Sequence, residues 1–165
     1  MGQWDEALAT AMRLADVADA VSVSCFRSEE LRRTHKDDGT PVSQIDFDVE
    51  EAMFAAVRAE HPDDSVIGEE IGERPGSSSS RWIFDGIDGT HNYALGRPGW
   101  ATNIALEVDG VVVAGVVSAP VYGRRWLGTL GGGAWSASYT HETGFDASAA
   151  ERLKCGRVDD LDRAA

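Results

Sequence analysis

The chain has 165 residues, 42% hydrophobic and 26% charged, which is enough for one ordinary domain with a real core. Its formal charge of −13 and pI of about 4.6 repel phosphate backbones and argue against general nucleic-acid binding. No apolar run reaches the roughly 18–20 residues that span a bilayer, Met1 to Glu6 lack a signal-peptide pattern, and Cys25 and Cys155 have no metal or disulfide spacing, so the expectation is a cytoplasmic protein without a membrane partner.

From Trp4 to about Phe26 the residues Leu8, Ala11, Met12, Ala15 and Ala18 recur at helical spacing, with Asp5, Glu6, Asp16 and Asp19 elsewhere on the cylinder. Thr34 to Pro41 is a turn-rich connector that also suits a hairpin tip. A second helix is expected from Ser43, which can cap it with Asp46 three residues on. Ile45, Val49, Ala52, Met53 and Ala56 give its apolar stripe before His61-Pro62. Ser65-Val66-Ile67 then predicts a short strand ending at Gly68-Glu69-Glu70, and Arg74 to Ser80 a flexible polar loop. Trp82-Ile83-Phe84 is a buried strand running into Asp85. Residues 101–108 and 111–117 are two strands joined by Asp109-Gly110, a type I′ hairpin signal. Arg125 to Thr129 is a further strand before the glycine turn 131–133, and the stretch 136–165 is weakly patterned. Two helices before a run of strands predict an α+β fold, the helices packed on a mostly antiparallel sheet.

Chemistry concentrates at Asp85-Gly86-Ile87-Asp88-Gly89-Thr90. Two carboxylates three residues apart at a strand end can converge on one hard cation or bridge two, and their oxygens suit Mg²⁺, Mn²⁺ or Ca²⁺. The backbone N–H groups of Gly89 and Thr90 can face an anion. Taken alone, two such aspartates read as turn caps. Glu69-Glu70 changes that reading. Two neighbouring strand ends loaded with acids repel one another unless a cation sits between them.

Gly68-Glu69-Glu70 followed by Trp82 through Tyr93 resembles the inositol monophosphatase family, whose pattern is GEE and then W-[IV]-[IV]-D-P-[IL]-D-G-T-x-N-[FY]. Lys36 to Asp46 and Gly131 to Trp135 match further family segments in order, and Ser118-Ala119-Pro120 with Arg124-Arg125-Trp126 looks most like actinobacterial histidinol-phosphate phosphatases. The resemblance implies the amino-terminal part of an αβαβα sandwich. Residues 1–135 would form its metal- and phosphate-binding domain, and 136–165 would begin a second domain. It implies two or three Mg²⁺ ions, with Mn²⁺ as a substitute. Glu69, Asp85 and the Ile87 carbonyl would hold the first ion, and Asp85 and Asp88 the second. Thr90 would hold the attacking water, Asp46 would orient the Thr90 hydroxyl, and Gly89 and Thr90 would bind phosphate beside Asp88. The implied substrate is a small phosphorylated alcohol, histidinol phosphate or myo-inositol 1-phosphate, and the implied assembly is a homodimer.

Two departures accompany the resemblance. Gly86 stands where the family has proline, which suggests a looser turn. The family's W-D-x-A motif, whose aspartate completes the second metal site, does not occur after Asp88. A non-catalytic cation-binding or dimerising remnant is therefore the competing expectation. Glu70 is expected to turn away from the site by strand alternation. His91 and Lys36 read as solvated, Trp82, Trp100, Trp126 and Trp135 as packing residues, and Arg97, Arg124 and Arg125 as exposed charges.

Overall fold

In the computed structural model, which describes residues 2–28, 41–140 and 143–155, the amino-terminal stripe winds into helix α1 (Asp5–Cys25). Asp5 and Glu6 sit in its first turn, where the helix dipole favours acids. Helix α2 (Pro41–Glu60) begins two residues before Ser43, so Ser43 lies inside the first turn and is not the cap that the sequence suggested. Proline suits a first helical position because its missing N–H would have had no partner there. The connector 34–40, with Lys36, lies outside the described residues.

The strands are β1 (Ser65–Gly68), β2 (Gly72–Arg74), β3 (Ser80–Asp88), β4 (Ala101–Val108), β5 (Val111–Ala119), β6 (Arg124–Thr129), β7 (Gly133–Thr140), β8 (Gly144–Phe145) and β9 (Glu151–Leu153). A short helix α3 (Thr90–Ala94) follows β3. The sheet runs β2-β1-β3-β4-β5-β6-β7-β8, with β9 also on β7. Among the described residues only β1 and β3 pair in parallel. Asp109 and Gly110 both have positive φ, 50° and 79°, as a type I′ hairpin requires. Strand β7 crosses position 136 and pairs with β6 from Gly133 to Ser138, so regular structure extends into the weakly patterned stretch.

The core forms where α1 and α2 lie on the sheet. Ala11, Leu14, Ala15 and Ala18 of α1 meet Val49, Met53 and Val57 of α2, over Trp82, Phe84, Ile104, Leu106 and Val116. Alternate strand residues give this one packed face, and each large apolar side chain removed from water contributes about 1.5–3 kcal/mol. The serine loop is fastened: Ser77 and Ser78 N–H both donate to Asp63 O at 2.8 and 2.9 Å, and Gly76 N–H donates to Ser65 Oγ. The expected flexible loop is thus a tethered one. Arg125 is fully buried, contrary to expectation, and its guanidinium contacts Asp19 Oδ2 at 2.7 Å and Asp16 Oδ1 at 2.8 Å. Ser118 Oγ donates to the same Asp19 oxygen, and Tyr139 lies under the guanidinium at 3.6 Å. A charge enters a core only with such partners.

Candidate active site

Parallel pairing of β1 with β3 aligns Gly68 with Phe84, so Glu69, just past the end of β1, stands level with Asp85 of β3. Residues three apart on a regular strand point to opposite faces. Between Asp85 and Asp88, however, the register with β4 shifts: Asp85 faces Asn103, whereas Asp88 faces Ala101. One extra residue on β3 returns Asp88 to the side of Asp85. The side chain of Asn103 records this. Its amide donates to Asp88 Oδ2 at 3.1 Å and also hydrogen-bonds Asp85. The sequence reading missed Asn103, although a lone amide inside an apolar strand was a signal.

Below these tips α2 presents Asp46 and Glu50, four residues apart and therefore on one face. The fully buried Glu50 is the second residue missed. Its Oε1 accepts from Glu69 N–H at 3.0 Å and Gly86 N–H at 3.3 Å, and its Oε2 accepts from the N–H groups of Glu70 and Ile71, both at 3.0 Å. One carboxylate thereby holds both acid-bearing turns. Glycine is needed where they close over it. A Cβ at Gly68 would lie 2.2 Å from Glu50 Oε2, and one at Gly86 would lie 2.6 Å from Asp46 Oδ1. Thr102 Oγ1 donates to the Gly86 carbonyl at 2.8 Å, so both backbone groups of Gly86 are engaged. The turn expected to be loose is anchored.

Gly89, with φ of 87°, leads into α3, and its carbonyl accepts from Asn92 and Tyr93 N–H. The Asn92 amide donates to Gly99 O at 2.8 Å, and the Tyr93 hydroxyl donates to Ser22 O at 2.7 Å, tying α3 to the loop before β4 and to α1. The Thr90 hydroxyl donates to Ile87 O at 3.0 Å. Its single proton is thus given to Ile87 O and not, as the resemblance implied, to Asp46, and Asp46 Oδ1 has no hydrogen-bond partner in the protein. His91 is exposed, as expected.

The electrostatics are those of crowded anions. Burial pushes the Asp46 carboxyl up to about 7, and the charges of Glu50, Glu70 and Asp85 add to this, while the Ile87 N–H pulls the other way. Burial likewise lifts Asp85 to about 6, with help from Asp88 and Glu69 and against the hydrogen bond from Asn103. Glu70 is exposed, in keeping with its expected outward turn, and its charge still reaches Asp46. Carboxylate and carbonyl oxygens, mutual repulsion and an unpartnered buried oxygen all fit a hard divalent cation. Among the described residues no three His, Cys, Asp or Glu side chains already converge as a closed cage, so the ion would complete the gathering of its ligands.

A family model described as the inositol monophosphatase family matches residues 3–164. Over 151 residues the chain is 41% identical to a Streptomyces griseus protein named glucose-1-phosphate thymidylyltransferase, covering 91% of this chain and 56% of that one. It is also 41% identical over 152 residues to a histidinol-phosphatase of Streptomyces coelicolor, covering 90% and 54%. The solved structure of Mycobacterium tuberculosis SuhB superposes with a TM-score of 0.72 at 29% identity, covering 94% of this chain and 54% of that one. The chain thus spans about half the length of the relatives it matches. Among the described residues no helix is long and apolar enough to cross a membrane.

Proposed function

Because the chain belongs to the inositol monophosphatase family, we propose that it carries the acid-lined half of a phosphomonoesterase that releases phosphate from a small alcohol phosphate. The observation that carries this reading is the pairing of β1 with β3, which sets Glu69 level with Asp85, on the strand that ends at Asp88. In this reading Glu69, Asp85 and the Ile87 carbonyl hold one Mg²⁺, and Asp85 and Asp88 hold a second. A third ion, and Mn²⁺ in place of Mg²⁺, suit the same oxygens. Bound cations would supply an acidified water and offset charge on the phosphoryl oxygens.

The chain's own residues do the positioning. The Thr90 hydroxyl, steered by Ile87 O, accepts a hydrogen bond from the water. Ile87 O keeps a second lone pair for the ion. Asp46 is the reserve acceptor for the Thr90 hydroxyl when that hydroxyl leaves Ile87. The N–H groups of Gly89 and Thr90 hold phosphate, with Asp88 on the alcohol side. Histidinol phosphate is the substrate suggested by the Streptomyces coelicolor relative, and myo-inositol 1-phosphate the one suggested by the family's name. A cytoplasmic homodimer goes with this reading. The second reading, a cation-binding module without turnover, goes with the lack of a W-D-x-A motif after Asp88.

The test is phosphate release from both esters with Mg²⁺ and with a chelator. Mg²⁺-dependent release is expected, and Asp88→Asn should lower it by about a hundredfold or more with the melting temperature little changed. Unaltered release in that variant would overturn the assignment. No release from the folded, Mg²⁺-loaded chain would support the binding module. Pyrophosphate formed from thymidine triphosphate and glucose 1-phosphate would point instead to the activity in the Streptomyces griseus relative's name.

A further inference from the structure

The two long helices cover one face of the sheet and leave the other open. Across that open face a single register row pairs Ile83, Ala105, Gly115, Gly128 and Ala134 on five adjacent strands. The small or absent side chains of the last four help to open a trough of about 520 Å³ there. The next row, toward the end that carries Asp85, is taller at its centre, where Val117 of β5 and Trp126 of β6 stand opposite one another. Val117 is exposed and Trp126 only half-buried. Exposed Val112 and Leu153 extend the apolar surface at its flanks, Val112 opposite Glu107 and Leu153 opposite Ala134. Charges around the face are already paired within the chain, Arg81 with Glu107 at 2.8 Å and Arg124 with Glu151 at 3.7 Å.

A floor of small residues beside a ridge of large ones, on one face, is complementary to a second copy of itself. A twofold axis running across the strands between the two rows sets each copy's Val117 over the other's Gly115, and each Trp126 over the other's Gly128. Gly115 and Gly128 are opposite one another in the floor as Val117 and Trp126 are in the ridge, so both contacts form together. With strands about 4.8 Å apart and alternate residues about 6.8 Å apart, the face measures roughly 24 by 20 Å. Two copies then remove about 1,000 Å² from water, about the least that specific association needs. The net charge of −13 opposes approach at long range, but physiological salt screens it beyond about 8 Å. Asp85 lies in the ridge row two strands from Val117, and a twist of roughly 20–25° per strand carries it clear of a contact centred on β5 and β6.

We propose that the open face of the sheet is a self-association surface, on which two copies of this chain pack sheet against sheet with Val117 and Trp126 of each seated over Gly115 and Gly128 of the other. This gives a surface to the homodimer of the preceding reading but does not rest on the phosphatase chemistry, because association is measured as mass and not as turnover.

The experiment is sedimentation equilibrium of the full chain with Mg²⁺ at physiological salt, from about 10 to 500 µM, the range that an interface of this size calls for. The average mass should climb from 17.7 kDa toward twice that value. Gly115→Leu is the sharpest variant. A Cβ at Gly115 meets only Ile104 O, at 3.5 Å, so the folded chain has room for the new side chain, which fills the floor that the other copy's Val117 needs. It should weaken association by about tenfold or more while the far-ultraviolet spectrum and the melting temperature of the dilute chain hold. Val117→Asp should do the same from the ridge. Phe47→Ser, at an exposed position of α2, should leave association unchanged. A parent chain that stays at 17.7 kDa throughout assigns the face to a different partner and overturns the proposal. So does a mass that climbs past the dimer, a dimer that survives in folded Gly115→Leu or Val117→Asp chains, or one that Phe47→Ser dissociates. Phosphate release, assayed in parallel, reports on the site alone. A dimer without turnover sinks the phosphatase reading and keeps this face, and turnover by a monomer does the reverse.

Discussion

At the scale of single residues, Gly86 shows how a departure from a family pattern can be compensated. Proline there would remove the N–H that Glu50 accepts and would bring ring atoms toward Asp46 Oδ1, 2.6 Å from the ideal Cβ position. Gly86→Pro should therefore destabilise the chain by about 1–3 kcal/mol, although it restores the family's usual residue. A raised melting temperature in that variant would show the turn to be loose after all. The acids at the strand tips were legible in the sequence because each ends a short apolar run. Glu50 was not. A glutamate in mid-helix reads as solvated, and only the folded chain brings four N–H groups onto it from positions 19 to 36 residues away. Asn103 was hidden for a related reason. Its meaning depends on the bulge that turns Asp88 to the side of Asp85, and a one-residue register shift leaves no trace in composition or period.

At the scale of elements, both helices and most strands could be read from apolar spacing and from Asp109-Gly110, since local periodicity governs them. Arg125 lay beyond that reach because its partner Asp19 is 106 positions away. Its guanidinium joins α1 to β5, β6 and β7 through Asp19, Ser118 and Tyr139. A buried ion pair is weak evidence for net stability, but removing one partner leaves a bare charge in the core. Arg125→Met should cost about 3–5 kcal/mol, lowering the melting temperature by roughly 10 °C. The double variant Asp19→Leu with Arg125→Met should recover most of that loss. Additive losses in the double variant would show that packing around the guanidinium matters more than the pairing of charge.

At the scale of the whole molecule, the crowded anions make stability depend on pH and on cations. The folded-state value of Asp46, about 7, lies above the ordinary aspartate value near 4. Between these limits the folded chain holds a proton that the unfolded chain has released, so stability is greatest on the acid side and declines as pH rises through the window. With chelator present, the melting temperature should fall by about 5 °C or more between pH 5 and pH 7.5, and millimolar Mg²⁺ should restore it at pH 7.5 but not at pH 5. A chelator-treated chain whose melting temperature climbs across that range would refute the electrostatic description of the site. The bond pattern of Glu50 bears on how an ion would be received. Since that carboxylate already pins both turns, the conformational entropy of bringing them together is lost during folding and not during ion uptake. Loading should then involve side-chain swings alone, with a small heat-capacity change and an unaltered far-ultraviolet spectrum, as befits a seat shaped before its occupant arrives.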